Sequence, residues 1–176
     1  MKNRRLFFAL WPTDAIRAQL AAKAQSHAAL GRAIAAANLH VTVAFLGAVA
    51  EERLAEVVEI ARSTQKLTFD GKFSLYLDRM EFWRRSSLVA LTAAQVPPEL
   101  LRIVDGLRTG LRQRGFQLHE HDTFRAHVTL VRDVVRGPAV AAVTPVHWPV
   151  ESFALVESKV GQRGSQYTVL DEWSLA

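Results

Sequence analysis

The sequence predicts a mixed helix-and-strand protein made of two similar halves, and three observations point there. The tripeptide His-Val-Thr occurs twice, at His40–Thr42 and His127–Thr129, each time inside an apolar run, and about half the chain separates the copies. Strand-like apolar runs alternate with helical apolar stripes, beginning β-α-β-α. The chain has 176 residues and is 49% hydrophobic, enough for one core but too short for two large domains. Residues 1–176 can therefore form one domain or two small, intimately packed lobes, with internal duplication as the organising idea.

The elements follow in order. Arg5 to Trp11 reads as a strand, and its apolar run stops at Pro12-Thr13-Asp14, short of a signal-peptide core. Thr13 or Asp14 supplies an N-cap for a helix to about Leu30, with Ile16 and Leu20 on one face and Gly31 ending it. After a loop through Ala37-Asn38, the stretch Leu39 to Gly47 forms the first His-x-Thr strand. A helix from about Glu51 to Arg62 carries Leu54, Val57, Val58 and Ala61 as its stripe. Leu67 to Met80 alternates through Phe69, Phe73, Leu75 and Leu77, and Ser87 to Thr92 is its hairpin partner, with Arg84-Arg85-Ser86 near the turn. Pro97-Pro98-Glu99 opens a third helix, whose Leu100, Ile103, Val104, Leu107 and Leu111 recur at helical spacing until Gly115. His119-Glu120-His121-Asp122 leads into the second His-x-Thr strand, and Gly137-Pro138 marks a loop. Two strands close the chain, about Val150 to Val160 and Gln166 to Trp173, joined by a turn at Gly161 to Gly164. No apolar run approaches the roughly 20 residues that span a bilayer, so no membrane segment is expected.

Composition narrows the chemistry. The chain has no cysteine, which removes disulfides, thiolate nucleophiles and Cys-ligated zinc and fits a reducing cytoplasm. A formal charge of +5 and a pI near 10.1 favour anionic partners. Residues two apart on a strand share a face, so His40 stands with Thr42, and His127 with Thr129. Two such histidines can act as general base and general acid near neutral pH without a metal or a covalent intermediate. In-line displacement at a phosphodiester needs that pair, with a base on the attacking oxygen and an acid on the leaving one. The threonine hydroxyls can donate to non-bridging oxygens as charge builds on them. Arg132 can add positive charge, although on an ideal strand it points opposite to Thr129 and needs a bulge, a strand end or its own length to reach the site.

These residues resemble the two-histidine (2H) phosphoesterases, and within them the bacterial RNA 2',3'-cyclic phosphodiesterases, also known as 2'-5' RNA ligases. The similarity covers nearly the whole chain. It rests on Arg5-Leu6-Phe7-Phe8-Ala9, on Asn38 to Gly47, on Phe124 to Arg132, and on Tyr167-Thr168-Val169-Leu170 followed by Trp173. The resemblance implies an α+β fold of two lobes with pseudo-two-fold symmetry, antiparallel sheets lining a central cleft and helices outside. It implies hydrolysis of an RNA 2',3'-cyclic phosphate end to a 2'-phosphate, with His40 as proton donor and His127 as proton acceptor. The phosphate would be bound by Thr42, Thr129 and Arg132, with no cofactor and no metal. The residues alone do not distinguish acid from base. The implied partner is RNA with a cyclic phosphate terminus, or a cyclic nucleotide; no required protein partner is evident. One departure is Ala126, where the family usually has proline before the second histidine; alanine restores an N–H and frees the preceding residue.

Two other readings stand beside this one. His119 and His121, with Glu120 or Asp122, have the His-x-His spacing of a metal chelate, although no further cluster at ligand spacing accompanies them. Alternatively, the basic charge and arginines such as Arg84, Arg85, Arg112 and Arg114 suit a non-enzymatic RNA-binding module, but they do not require a duplicated His-x-Thr. A related cyclic or 2'-5'-linked nucleotide is a further substrate for the same cleft. Trp83, Phe124 and Tyr167 are candidates both for flanking a terminal base and for core; His27 and His147 read as structural.

Overall fold

The computed structural model describes residues 2–67, 71–118, 123–161 and 164–175. These form nine strands: β1 (Asn3–Leu10), β2 (Arg32–Ala33), β3 (Val41–Ala50), β4 (Phe73–Trp83), β5 (Leu88–Thr92), β6 (His127–Arg132), β7 (Ala141–Val150), β8 (Ser152–Gly161) and β9 (Gly164–Ser174). Three α-helices accompany them, α1 (Asp14–Ser26), α2 (Leu54–Leu67) and α3 (Pro98–Gln113).

Local chemistry starts each helix. The Thr13 side chain caps α1 by accepting from the Ile16 N–H, and Asp14 puts negative charge in the first turn. Pro98 opens α3, where its missing N–H costs nothing. The α3 stripe of Leu100, Ile103, Val104, Leu107 and Leu111 is fully buried, each side chain contributing roughly 1.5–3 kcal/mol of transfer free energy.

All strand pairs are antiparallel, and they form two sheets in the orders β3-β1-β8-β9 and β2-β6-β5-β4-β7. The second sheet repeats the first, with β6, β5, β4 and β7 in the places of β3, β1, β8 and β9, and β2 added at its edge. Each His-x-Thr segment therefore occupies the same position in its own sheet. The helices are exchanged between the sheets: α1 packs against β6 and β7, whereas α3 packs against β3, and α2 packs against α3 and β9. A large apolar core behind both sheets joins Leu6, Phe8 and Leu10 of β1 to the helix stripes and to Val128 and Leu130 of β6.

Several sequence expectations shift. The first helix ends at Ser26, with Ala28–Leu30 a separate 3-10 turn before Gly31. The second begins as a 3-10 turn at Glu51–Arg53 and runs to Leu67, past the expected end at Arg62, so the following strand starts at Phe73 rather than Leu67. Strands β2 and β7 add to the elements expected from sequence. β7 hides behind Pro145 and Pro149, which argue against a strand, but it lies at the sheet edge, where a missing N–H is tolerated. Its Val146, Trp148 and Val150 alternate inward and are buried. Phe69, the His119 to Asp122 run and the Gln162-Arg163 turn lie outside the described residues. No helix among the described residues is long and apolar enough to cross a membrane.

Candidate active site

Both histidines stand at the start of their strands. His127 is the first residue of β6, and His40 immediately precedes β3 rather than lying within it. Each is held the same way. His40 Nδ1 lies 2.7 Å from the Asn38 carbonyl oxygen and His127 Nδ1 2.7 Å from that of Arg125, two residues upstream in each case. A carbonyl only accepts, so Nδ1 carries the proton and Nε2 is the atom left for exchange. His40 Nε2 lies 3.0 Å from Thr42 Oγ1, so the first motif's pair meets directly.

A bulge follows each threonine. In the first sheet Ala9 faces Thr42 and Phe8 faces Ala44, leaving Val43 as the extra residue; in the second, Ala90 faces Thr129 and Val89 faces Val131, leaving Leu130 as the extra residue. The extra residue resets the alternation, so the side chain three positions after the threonine returns to the threonine's side. Leu130 and Val131 are both buried, and Arg132 lines the cleft with Thr129. The bulge supplies what an ideal strand denies Arg132. At the matching place in the first motif stands Phe45, with the Arg5 guanidinium 4.8 Å from its ring centroid.

The resulting cleft has a volume of about 920 Å³ and brings together all five residues singled out from the sequence: His40, Thr42, His127, Thr129 and Arg132. Arg5, Arg32, Phe45 and Tyr167 line it as well and were not among them. Arg5 and Phe45 were legible only as strand residues, because their facing depends on two further features, the β1–β3 register and its bulges. Arg32 comes from the edge strand β2, where it bonds Asp133 Oδ2 at 2.9 Å. Phe124 lies elsewhere, with Arg108 over its ring, while Trp83 packs on His127 with ring centroids 4.5 Å apart. His27 caps α1, and His147 lies inside β7, stacked on Tyr76 and bonded to Ser74.

The two imidazoles have different surroundings. His40 is enclosed by rings, with Phe7 at 4.9 Å, Tyr167 at 5.3 Å and Trp11 at 5.8 Å between centroids. Burial lowers its pKa from 6.5 to about 4; the Asn38 carbonyl pulls it back in part, and the charges of His127 and Arg132 add smaller downward pushes. The two imidazoles are thus close enough to feel each other's charge. His127 is also lowered, first by burial and then by Arg125 and Arg132, while the Arg125 carbonyl and Glu81 push it back up. Both imidazoles are therefore neutral in the free protein at neutral pH, and an anion bound in the cleft favours the protonated form of whichever ring it approaches. Among the described residues, no three His, Asp or Glu side chains converge as a metal-ligand set.

Two antiparallel sheets that each present a His-x-Thr to one basic cleft define the two-histidine phosphoesterase class. The family model for LigT-like phosphoesterases matches residues 10–87. The chain is 34% identical to the RNA 2',3'-cyclic phosphodiesterase of Escherichia coli K12, covering 98% of this chain and 97% of that protein. It is 31% identical to the protein of the same name from Thermus thermophilus, over 97% and 90%. The crystal structure of E. coli LigT complexed with 3'-AMP superposes with a TM-score of 0.86 at 30% identity, covering 98% of both chains. This chain belongs to the LigT-like phosphoesterase family.

Proposed function

We propose that the protein hydrolyses the 2',3'-cyclic phosphate end of RNA to a 2'-phosphomonoester, by paired-histidine acid-base catalysis without a metal. The observation that carries this reading is the pair of imidazoles, each with Nδ1 fixed by a backbone carbonyl so that Nε2 is the exchanging atom, lining one cleft with Arg132. Relatives at 34% and 31% identity named RNA 2',3'-cyclic phosphodiesterase support the substrate.

His127 Nε2 takes a proton from water as its oxygen attacks phosphorus. The bond from phosphorus to the 3' oxygen breaks, and His40 Nε2 gives that oxygen its proton, leaving a 3'-hydroxyl and a 2'-phosphate. Thr42, Thr129 and Arg132 stabilise the charge that gathers on the non-bridging oxygens. Since the anionic substrate raises His40 from its low resting value, it creates the acid it requires. Cytoplasmic RNA ends are the setting this reading assigns, with no protein partner required.

The test is hydrolysis of a short RNA ending in 2',3'-cyclic phosphate, with and without EDTA, resolving 2'- from 3'-phosphate products. His40→Ala and His127→Ala are each expected to lower turnover by at least about a hundredfold while leaving the circular dichroism spectrum unchanged. Activity lost to EDTA would end the metal-free mechanism, and a fully active single mutant would end the pairing.

A further inference from the structure

We propose that Glu81 is a positioning residue for His127, because one carboxylate on β4 ties together the ring that covers the imidazole and the residue that anchors it. The proposal rests on the reading of His127 as one of the two proton-transfer groups.

Glu81 Oε2 accepts from Trp83 Nε1 at 3.0 Å and from Arg125 Nη2 at 2.5 Å, while Oε1 accepts from Thr92 Oγ1 at 2.9 Å. Each of these partners bears on His127. The Trp83 ring packs on the imidazole at 4.5 Å, and the Arg125 guanidinium lies 4.8 Å from that ring's centroid. The Arg125 carbonyl accepts the Nδ1 proton that fixes the tautomer. Thr92 sits opposite His127 in the β5–β6 register. Three contacts on His127 thus converge on one acidic group.

The charge has a role that shape alone does not explain. The Glu81 side chain is only 13% exposed, and burying a carboxylate there is costly unless its bonds are specific. Burial pushes its pKa up, but the bonds from Trp83, Arg125 and Thr92 and the Arg125 charge together outweigh it and hold the group below the usual carboxylate value. It is therefore ionised at neutral pH. The charged and titratable groups acting on His127 are Arg125, Arg132 and Glu81, with His40 across the cleft. Two of these are arginines that resist protonation of the imidazole, and Glu81 is the group that offsets them. Among the described residues, the charges that bear on His40 are those of His127 and Arg132, which both resist its protonation, and the rings around it are Phe7, Tyr167 and Trp11. Glu81 thus makes the two halves chemically unequal where their backbones match.

The experiment compares wild type with Glu81→Gln, which keeps the volume and removes the charge. It measures kcat and KM against pH on the cyclic-phosphate RNA and follows both histidines by NMR titration of the free protein. The expected result is a fall in kcat of roughly tenfold with KM nearly unchanged. The His127 midpoint moves to lower pH while that of His40 stays, and one limb of the kcat profile moves with it. Adding Arg125→Gln to Glu81→Gln moves the His127 midpoint back up. Should Glu81→Gln fail to fold, Trp83→Phe, which keeps the ring and removes its N–H, is expected to lower kcat rather than raise KM. An unmoved His127 midpoint, or a loss confined to KM, overturns the proposal. Inactive wild type with the His127 midpoint still moved by Glu81→Gln overturns the hydrolytic reading instead.

Discussion

At the scale of single residues, the pKa of the first histidine connects stability, binding and catalysis. The folded value for His40 lies at about 4, below the ordinary 6.5. Between those values the unfolded chain binds the proton more tightly, so His40 withdraws stability as pH falls from 6.5 towards 4. An anion in the cleft acts in the opposite sense, because its charge favours the imidazolium. Inorganic phosphate is therefore expected to raise the NMR titration midpoints of both His40 and His127. It should also protect the fold against heat more strongly at pH 5 than at pH 7.5. Midpoints that ignore phosphate would mean the anion binds away from the histidines. The carbonyl bonds at Asn38 and Arg125 explain why the tautomer is already set before substrate arrives. That detail was not legible in the sequence, since the acceptors are backbone atoms whose direction depends on the turn before each strand.

At the scale of elements, the two bulges matter most. His-x-Thr spacing made His40, Thr42, His127 and Thr129 readable as cleft residues, because alternation on a strand is a local rule. Arg132 was named for the phosphate on condition of a bulge, a strand end or its own length, because strand alternation points it away from Thr129 and a bulge is a property of two paired strands. The end of β6 is further constrained by a close approach. A Cβ on Gly31 would lie 2.4 Å from the Arg132 carbonyl oxygen, so the chain entering β2 must carry no side chain there. Gly31→Ala is expected to displace β2 or the end of β6, destabilise the protein by about 1–3 kcal/mol and weaken phosphate binding through Arg132. Thermal midpoint and a phosphate titration check this, and an alanine variant unchanged in both would show that β2 shifts without strain. β7 escaped notice for the complementary reason: Pro145 and Pro149 are poor strand residues anywhere except an edge.

At the scale of the whole molecule, symmetry and exchange of helices go together. The sheet β3-β1-β8-β9 draws its strands from both ends of the chain, and it is covered by α3, which lies between two strands of the other sheet. Neither lobe can complete its core alone, so unfolding is expected to be a single transition. Far- and near-ultraviolet circular dichroism and tryptophan fluorescence should share one denaturant midpoint, and separated midpoints would show that the lobes melt independently. The sequence by itself determined the duplication, the three helix stripes, the paired histidines and threonines and the choice of phosphoester chemistry, because periodicity and residue type are local and survive in one dimension. Tertiary structure decided which sheet each helix covers, the turning of Arg132 into the cleft, the enclosure of His40 by aromatic rings and the link from Glu81 to His127. Those depend on pairing register and on burial between residues far apart in the chain, where small geometric shifts change which face a side chain takes and how costly its charge becomes.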